Sequence, residues 1–238
     1  MFSLFIKEIS AFLSSALGYI AIITFLISTG VFMWFFSGSN NIFDMGESSM
    51  KAFFNMAPNV FLFLIPAITM KLFAEEKNKG TIELLFTKPI SEIKVVLAKF
   101  IAATFLVFIS ILPSLIYYYS IIKMGNSNID HAATWGGYIG LLLLGAVFVA
   151  IGLFASAITN NQVIAFILSM FLCFIFYLGF SFMSEIISSP FDYFLLKISV
   201  FEHYSSLQRG VIDSRDIIYY ISIIVFFLFS TSIIIKRR

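Results

Sequence analysis

Six lysines and four glutamates fall within a short stretch: Lys71, Lys77, Lys79, Lys88, Lys94 and Lys99 with Glu75, Glu76, Glu83 and Glu92. Most of them lie in Phe73 to Phe100, which reads FAEEKNKGTIELLFTKPISEIKVVLAKF. Amines and carboxylates in this pattern can bind a partner by charge and hydrogen bonding. The rest of the chain adds no catalytic motif to them. It contains no H-E-x-x-H zinc-protease sequence and no G-x-x-x-x-G-K-[ST] nucleotide loop. His131 and His203 have no paired histidine at helical spacing and read as surface side chains. The lone Cys173 sits inside an apolar run, where it reads as a small hydrophobe without a disulfide or metal partner. No catalytic residue, metal site or bound cofactor is expected. The chemistry of the charged segment is that of contact.

Between those charges the local signals are specific. A helix arriving from upstream continues through Glu75 and Glu76. Gly80 suits its C-cap, because glycine adopts a left-handed backbone without penalty. Thr81 can then N-cap a short helix over Ile82, Glu83, Leu84, Leu85 and Phe86, with Glu83 near the positive end of its dipole. Pro89 ends that helix, and the next begins near Ser91 and carries Lys99 to a membrane interface. The apolar face of the short helix has little reason to sit in water. It either folds onto a membrane surface or enters a groove of a partner protein.

The elements that position this segment follow from composition. Of 238 residues, 60% are hydrophobic and only 12% are charged, against about 25% charged in soluble domains. Mean hydropathy is +1.00. Such a chain is an integral membrane protein. A net charge of +2 implies no nucleic-acid partner. Uncharged runs long enough to cross a bilayer as helices occur within Ile9–Phe43, Ala52–Met70, Phe100–Ile122, Ala132–Thr159, Val163–Ser184 and Ile217–Ile235. Open sheets cannot satisfy their backbone in lipid, so the fold is all-α with six transmembrane helices in a single transmembrane domain, 1–238. The first run exceeds one span. Ser14, Ser15 and Gly18 suggest a bend, which leaves an amphipathic N-terminal helix with Phe2, Phe5, Ile6, Ile9 and Phe12 on one side and Lys7 and Glu8 on the other. No basic region precedes the apolar stretch, so a cleaved signal peptide is not expected.

Lysine and arginine placement orients the spans. With the N-terminus inside, the inner side holds Lys7, the six lysines of the charged segment, and Lys236, Arg237 and Arg238; the outer side holds Lys51, Lys123, Lys197, Arg209 and Arg215. The charged segment, 74–98, is therefore assigned to the cytoplasm, as are both termini. No Asp, Glu, Lys, Arg or His interrupts the six runs. An ion-coupled carrier usually buries such groups and is disfavoured. Energy for active transport would have to come from another subunit.

The pattern E-E-K-x-x-G-T-I-E-L-L-x-T-x-P-I-S, running on to L-A-K-F, resembles the hallmark segment of permease subunits in the type 2 class of ABC exporters. The resemblance implies a coupling helix that docks on a separate cytoplasmic ATPase. By position it assigns contact to Gly80, Thr81, Ile82, Glu83, Leu84, Leu85 and Pro89, and a supporting arm to Glu75 and Glu76. It implies ATP and magnesium on the partner ATPase rather than on this chain, and a second permease copy or a related permease across a shared pathway. The two ends of the chain, F-I-K-E-I-S-A-F-L-S-S-A-L-G-Y-I and F-E-H-Y-S-S-L-Q-R-G-V-I-D-S-R-D-I-I-Y-Y, are similar to those of the gliding-motility ABC permeases of Bacteroidetes. That likeness implies a bacterial inner membrane and a link to motility or secretion. In the class, a segment comparable to 185–216 forms short outer re-entrant helices before span six. Pro66 and Pro113, inside spans two and three, flank the charged segment and are hinge candidates. Against transport stands a scaffold reading: an ATP-driven membrane component with the same cytoplasmic segment and no pathway.

Overall fold

The computed structural model describes residues 2–38, 41–45, 49–81, 83, 91–124, 129–186 and 191–236. Among them there is no strand. Helix α1 (Phe2–Leu13) and α2 (Ala16–Trp34) are bent by 65° where Ser14 and Ser15 interrupt the apolar run. Ser15 caps α2 by accepting from the Gly18 N–H. After a short α3 (Ile42–Met45), α4 (Lys51–Thr69) runs into α5 (Lys71–Asn78) across a break at Met70. Span three is α6 (Glu92–Ile111), one 3-10 turn at Leu112–Ser114, and α7 (Leu115–Met124). Pro113 accounts for that turn, since its ring excludes a regular helical hydrogen bond. Then come α8 (His131–Ile158) and α9 (Gln162–Phe174), which passes through a π turn, Ile175–Gly179, into α10 (Phe180–Ile186). Two short helices, α11 (Phe191–Ile198) and α12 (Val200–Gln208), precede α13 (Ser214–Lys236).

Five helical stretches are long and apolar enough to cross a membrane, and the bent α1–α2 pair makes a sixth if counted as one crossing. The protein is thus an all-α polytopic membrane protein, as its apolar runs predict. α8 is the axle of the bundle. Within its apolar window 78% of residues are buried, against 22% in the α9–α10 span and 28% in α13. α4, α6, α9, α12 and α13 all pack on it. Small residues make that possible. A Cβ at Gly152 would lie 2.1 Å from the Thr69 hydroxyl oxygen, so α4 and α8 meet there at a spacing only glycine allows.

At the end away from the charged segment, α11 and α12 fold back on the bundle. Tyr204 and Leu207 are buried, and the Tyr204 hydroxyl donates to the Phe54 carbonyl at 2.8 Å. His203 departs from the surface reading. Its ring stacks on Tyr219 at 3.9 Å and its Nδ1 lies 2.7 Å from Asp216 Oδ1. Asp216 and Tyr219 sit in the first turns of α13, so the histidine ties α12 to the last span. Gly210 takes a positive φ of 81° in the turn between these helices.

Candidate functional site

The site is built on α5, the arm that carries span two beyond the apolar core. Pro66 has no N–H to give to the previous turn, and four residues later the helix is interrupted for one residue at Met70. The break is held by Ser156, near the end of α8. Its hydroxyl donates to the Met70 carbonyl at 3.0 Å and accepts from the N–H groups of Phe73 and Ala74 at 3.0 Å each. One buried serine thereby serves the backbone at Met70 and in the first turn of α5. The next turn adds Lys77, which is buried and whose ammonium donates to the Ala157 carbonyl. A cation at the end of α8 satisfies a carbonyl left open by the helix terminus and suits its negative dipole end.

The opposite side of the arm faces α1 and α6. Lys99 is fully buried, with its Nζ 2.8 Å from Glu8 Oε1 and 3.0 Å from Glu76 Oε2. The ion pair with Glu76 lacks hydrogen-bond geometry, and that carboxylate oxygen has no other bond. The Phe73 ring lies 5.2 Å below the ammonium, a cation–π distance. Lys7 completes the group at 3.3 Å from Glu76 Oε1. Two cations and two anions from three helices thus meet at one point. One expectation changes here. Glu8 does not lie on a water-facing side of α1; it turns inward, while Phe2 and Ile6 are exposed.

The pattern around Lys99 contains the signal for its burial. Val95, Val96, Ala102 and Ala103, three and four residues away on the same helical face, are all buried. A lysine amid such neighbours needs a carboxylate partner. No comparable sequence signal marks Ser156 or Lys77.

The arm ends as its sequence predicts. Gly80 has a φ of 67°, and the Lys79 N–H returns to the Glu75 carbonyl at 3.0 Å. Glu75 also pairs with Lys79 at 2.6 Å on the exposed surface, worth a few tenths of a kcal/mol at most. Thr81 points its hydroxyl back to the Glu76 carbonyl at 3.3 Å. Glu83 is helical. Ile82, Leu84, Leu85 and Pro89 lie outside the described residues. Beside the arm is an open cavity of about 490 Å³ lined by Asn78 and by Asn160, Asn161, Gln162 and Val163 from the turn between α8 and α9. Pro66 is buried in α4 and Pro113 is half-buried in the 3-10 turn between α6 and α7. No group of three or more His, Cys, Asp or Glu that could hold a metal occurs among the described residues.

The fold is thus a membrane helical bundle with a capped, buttressed arm between its second and third spans. The family model described as ABC-2 family transporter protein matches residues 32–234. The chain belongs to that family and is a permease subunit of an ABC transporter, the membrane component rather than the ATPase. No curated protein matches it.

Proposed function

We propose that this permease receives mechanical work from a separate ABC ATPase through the segment that follows α5. Gly80, Thr81, Ile82, Glu83, Leu84, Leu85 and Pro89 form the contact, and Glu75 and Glu76 belong to the arm behind it. The observation that carries the reading is the arm itself: a short helix beyond the span, buttressed on two sides and closed by a left-handed glycine, directly before an apolar sequence. ATP and magnesium are bound by the partner. The chain sits in a bacterial inner membrane with both termini and the arm in the cytoplasm, pairs with a second copy or a related permease, and works in export. The resemblance of its two ends to gliding-motility permeases supports a role in motility or secretion.

Copurification from membranes tests the docking. The parent protein should bring down an ABC ATPase and stimulate its hydrolysis, and a Glu83→Ala/Leu84→Ala variant should lose both. Binding and stimulation retained in the double variant would refute the coupling role. A scaffold without a pathway is the second reading, and the exposed faces of the spans suit lipid under either one. Ile167, Phe171 and Phe174 on α9, and Ile221, Val225 and Phe226 on α13, are all exposed and apolar. A polar, hydrated lining between permeases in the assembled complex would decide for transport.

A further inference from the structure

We propose that Lys99 is a positioning residue that makes α1 and the arm α5 move as one body, so that the N-terminal helix belongs to the path by which a motor acts on the spans. The inference rests on the reading that the segment after α5 receives that motor.

The argument begins with chain connectivity. α1 is set off from its own span by the 65° bend, with Phe12 packed on Gly18 at the corner, and its far end is placed by other contacts. Those contacts are with α6, through the ring pair Phe5–Phe105 at 5.9 Å, and with the ion group at Lys99, while Leu4 is buried. Glu8 is the contribution of α1 to that group, Glu76 the contribution of α5. Lys7 adds a second tie from α1 to the same Glu76.

The choice of residue also matters. A buried ion group replaced by well-packed apolar side chains often leaves stability unchanged or raises it. Bare cohesion among three helices would therefore be served as well by leucine. An ammonium held by two carboxylates instead specifies an angle and a register, because its charge tolerates no nearby alternative partner among Val95, Val96, Ala102 and Ala103. Removal of either glutamate from the group would leave charge in an apolar surround. An arm displaced by a motor consequently carries Glu76, Lys99 and Glu8 with it. On its other side the arm is held to α8 by Ser156 and Lys77, so the displacement reaches the axle of the bundle and the interfacial helix together.

The test uses the permease–ATPase complex in lipid nanodiscs, in a Cys173→Ser background. Spin labels at Ser3→Cys on α1 and Asn78→Cys on α5, both exposed in the parent, report their separation by double electron–electron resonance without and with ATP–vanadate. The one-body proposal requires the Ser3–Asn78 distance to stay constant between the two states, while the distance from Asn78 to a label at Lys236→Cys changes. Lys99→Arg should preserve this behaviour. Lys99→Met should broaden the Ser3–Asn78 distribution and lower permease-stimulated hydrolysis about fivefold, with the ATPase still bound. A nucleotide-dependent Ser3–Asn78 distance in the parent protein overturns the proposal. So does a Lys99→Met complex with a sharp distance and full stimulation. If Lys99→Met does not fold, the two-state comparison in the parent decides alone. A parent that captures no ATPase defeats the docking reading and this one with it, whereas capture with a changing distance defeats only this one.

Discussion

Single side chains at the arm end of the bundle hold several neighbours each. Ser156 satisfies three backbone groups of another helix. Ser156→Ala would strand buried polar atoms, each costing about 1–3 kcal/mol, and thermal melting of the detergent-solubilised protein should fall accordingly. Gly152→Ala sets a methyl group against Thr69 and should cost about 1–3 kcal/mol through overpacking. Thr69→Ala in the same chain removes the hydroxyl at 2.1 Å and should recover part of the loss. Tyr204, at the other end, is buried, and burial pushes its phenol well above its ordinary value of 10. Its neutral form is therefore favoured in the folded protein. The folded state holds this proton where the unfolded chain releases it, so stability falls as pH rises past about 10. Tyr204→Phe should lose the bond to Phe54, about 1 kcal/mol, and show a shallower alkaline decline in melting temperature.

Elements show where sequence is a sufficient guide and where it is not. The spans were legible because lipid demands long uncharged runs, and the start of α2 near Leu17 because paired serines and a glycine mark a bend. Gly80 was legible as a cap because few residues tolerate its backbone. The Lys99 group was not read, because it joins three helices distant in sequence, and charge near a span end is ordinarily explained by topology. The same applies to His203. Its loop position suggested solvent, and only the tertiary fold shows the ring between Asp216 and Tyr219. Cleaving that tie by Asp216→Asn or His203→Ala should free α12 from α13, seen as faster amide hydrogen exchange across Val200–Gln208 with the spans unchanged. Pro113 lies where span three changes from an α-helix to a 3-10 turn. Pro113→Ala should allow a continuous helix and alter coupling between ATP hydrolysis and the outer end of the span. Unchanged coupling and transport would leave the proline without a hinge function.

For the molecule as a whole, the axle arrangement means that α8 touches both ends of the machine: Ser156 and Ala157 meet the arm, while Gly136 and Gly140 meet Leu207 of α12. The proposed orientation is open to a simple check. In a Cys173→Ser background, a cysteine at Asn160 should react with a membrane-impermeant maleimide only in inverted vesicles, and one at Asp213 only in right-side-out vesicles. The reverse pattern would turn the topology over. Span five, beside this axle, contains the π turn Ile175–Gly179, which amounts to one residue more than a regular helix needs. That extra residue sets the angular phase of everything beyond it by about 100°. Ser181 meets Ser199 at 2.6 Å in this phase. A one-residue deletion within Ile175–Gly179 would restore a plain helix and swing Ser181 off its partner, leaving α9 in place against α8. The helices α11 and α12 are therefore indexed to the bundle by a single inserted residue, and a chain that gained or lost it would present a differently rotated cap on the same spans.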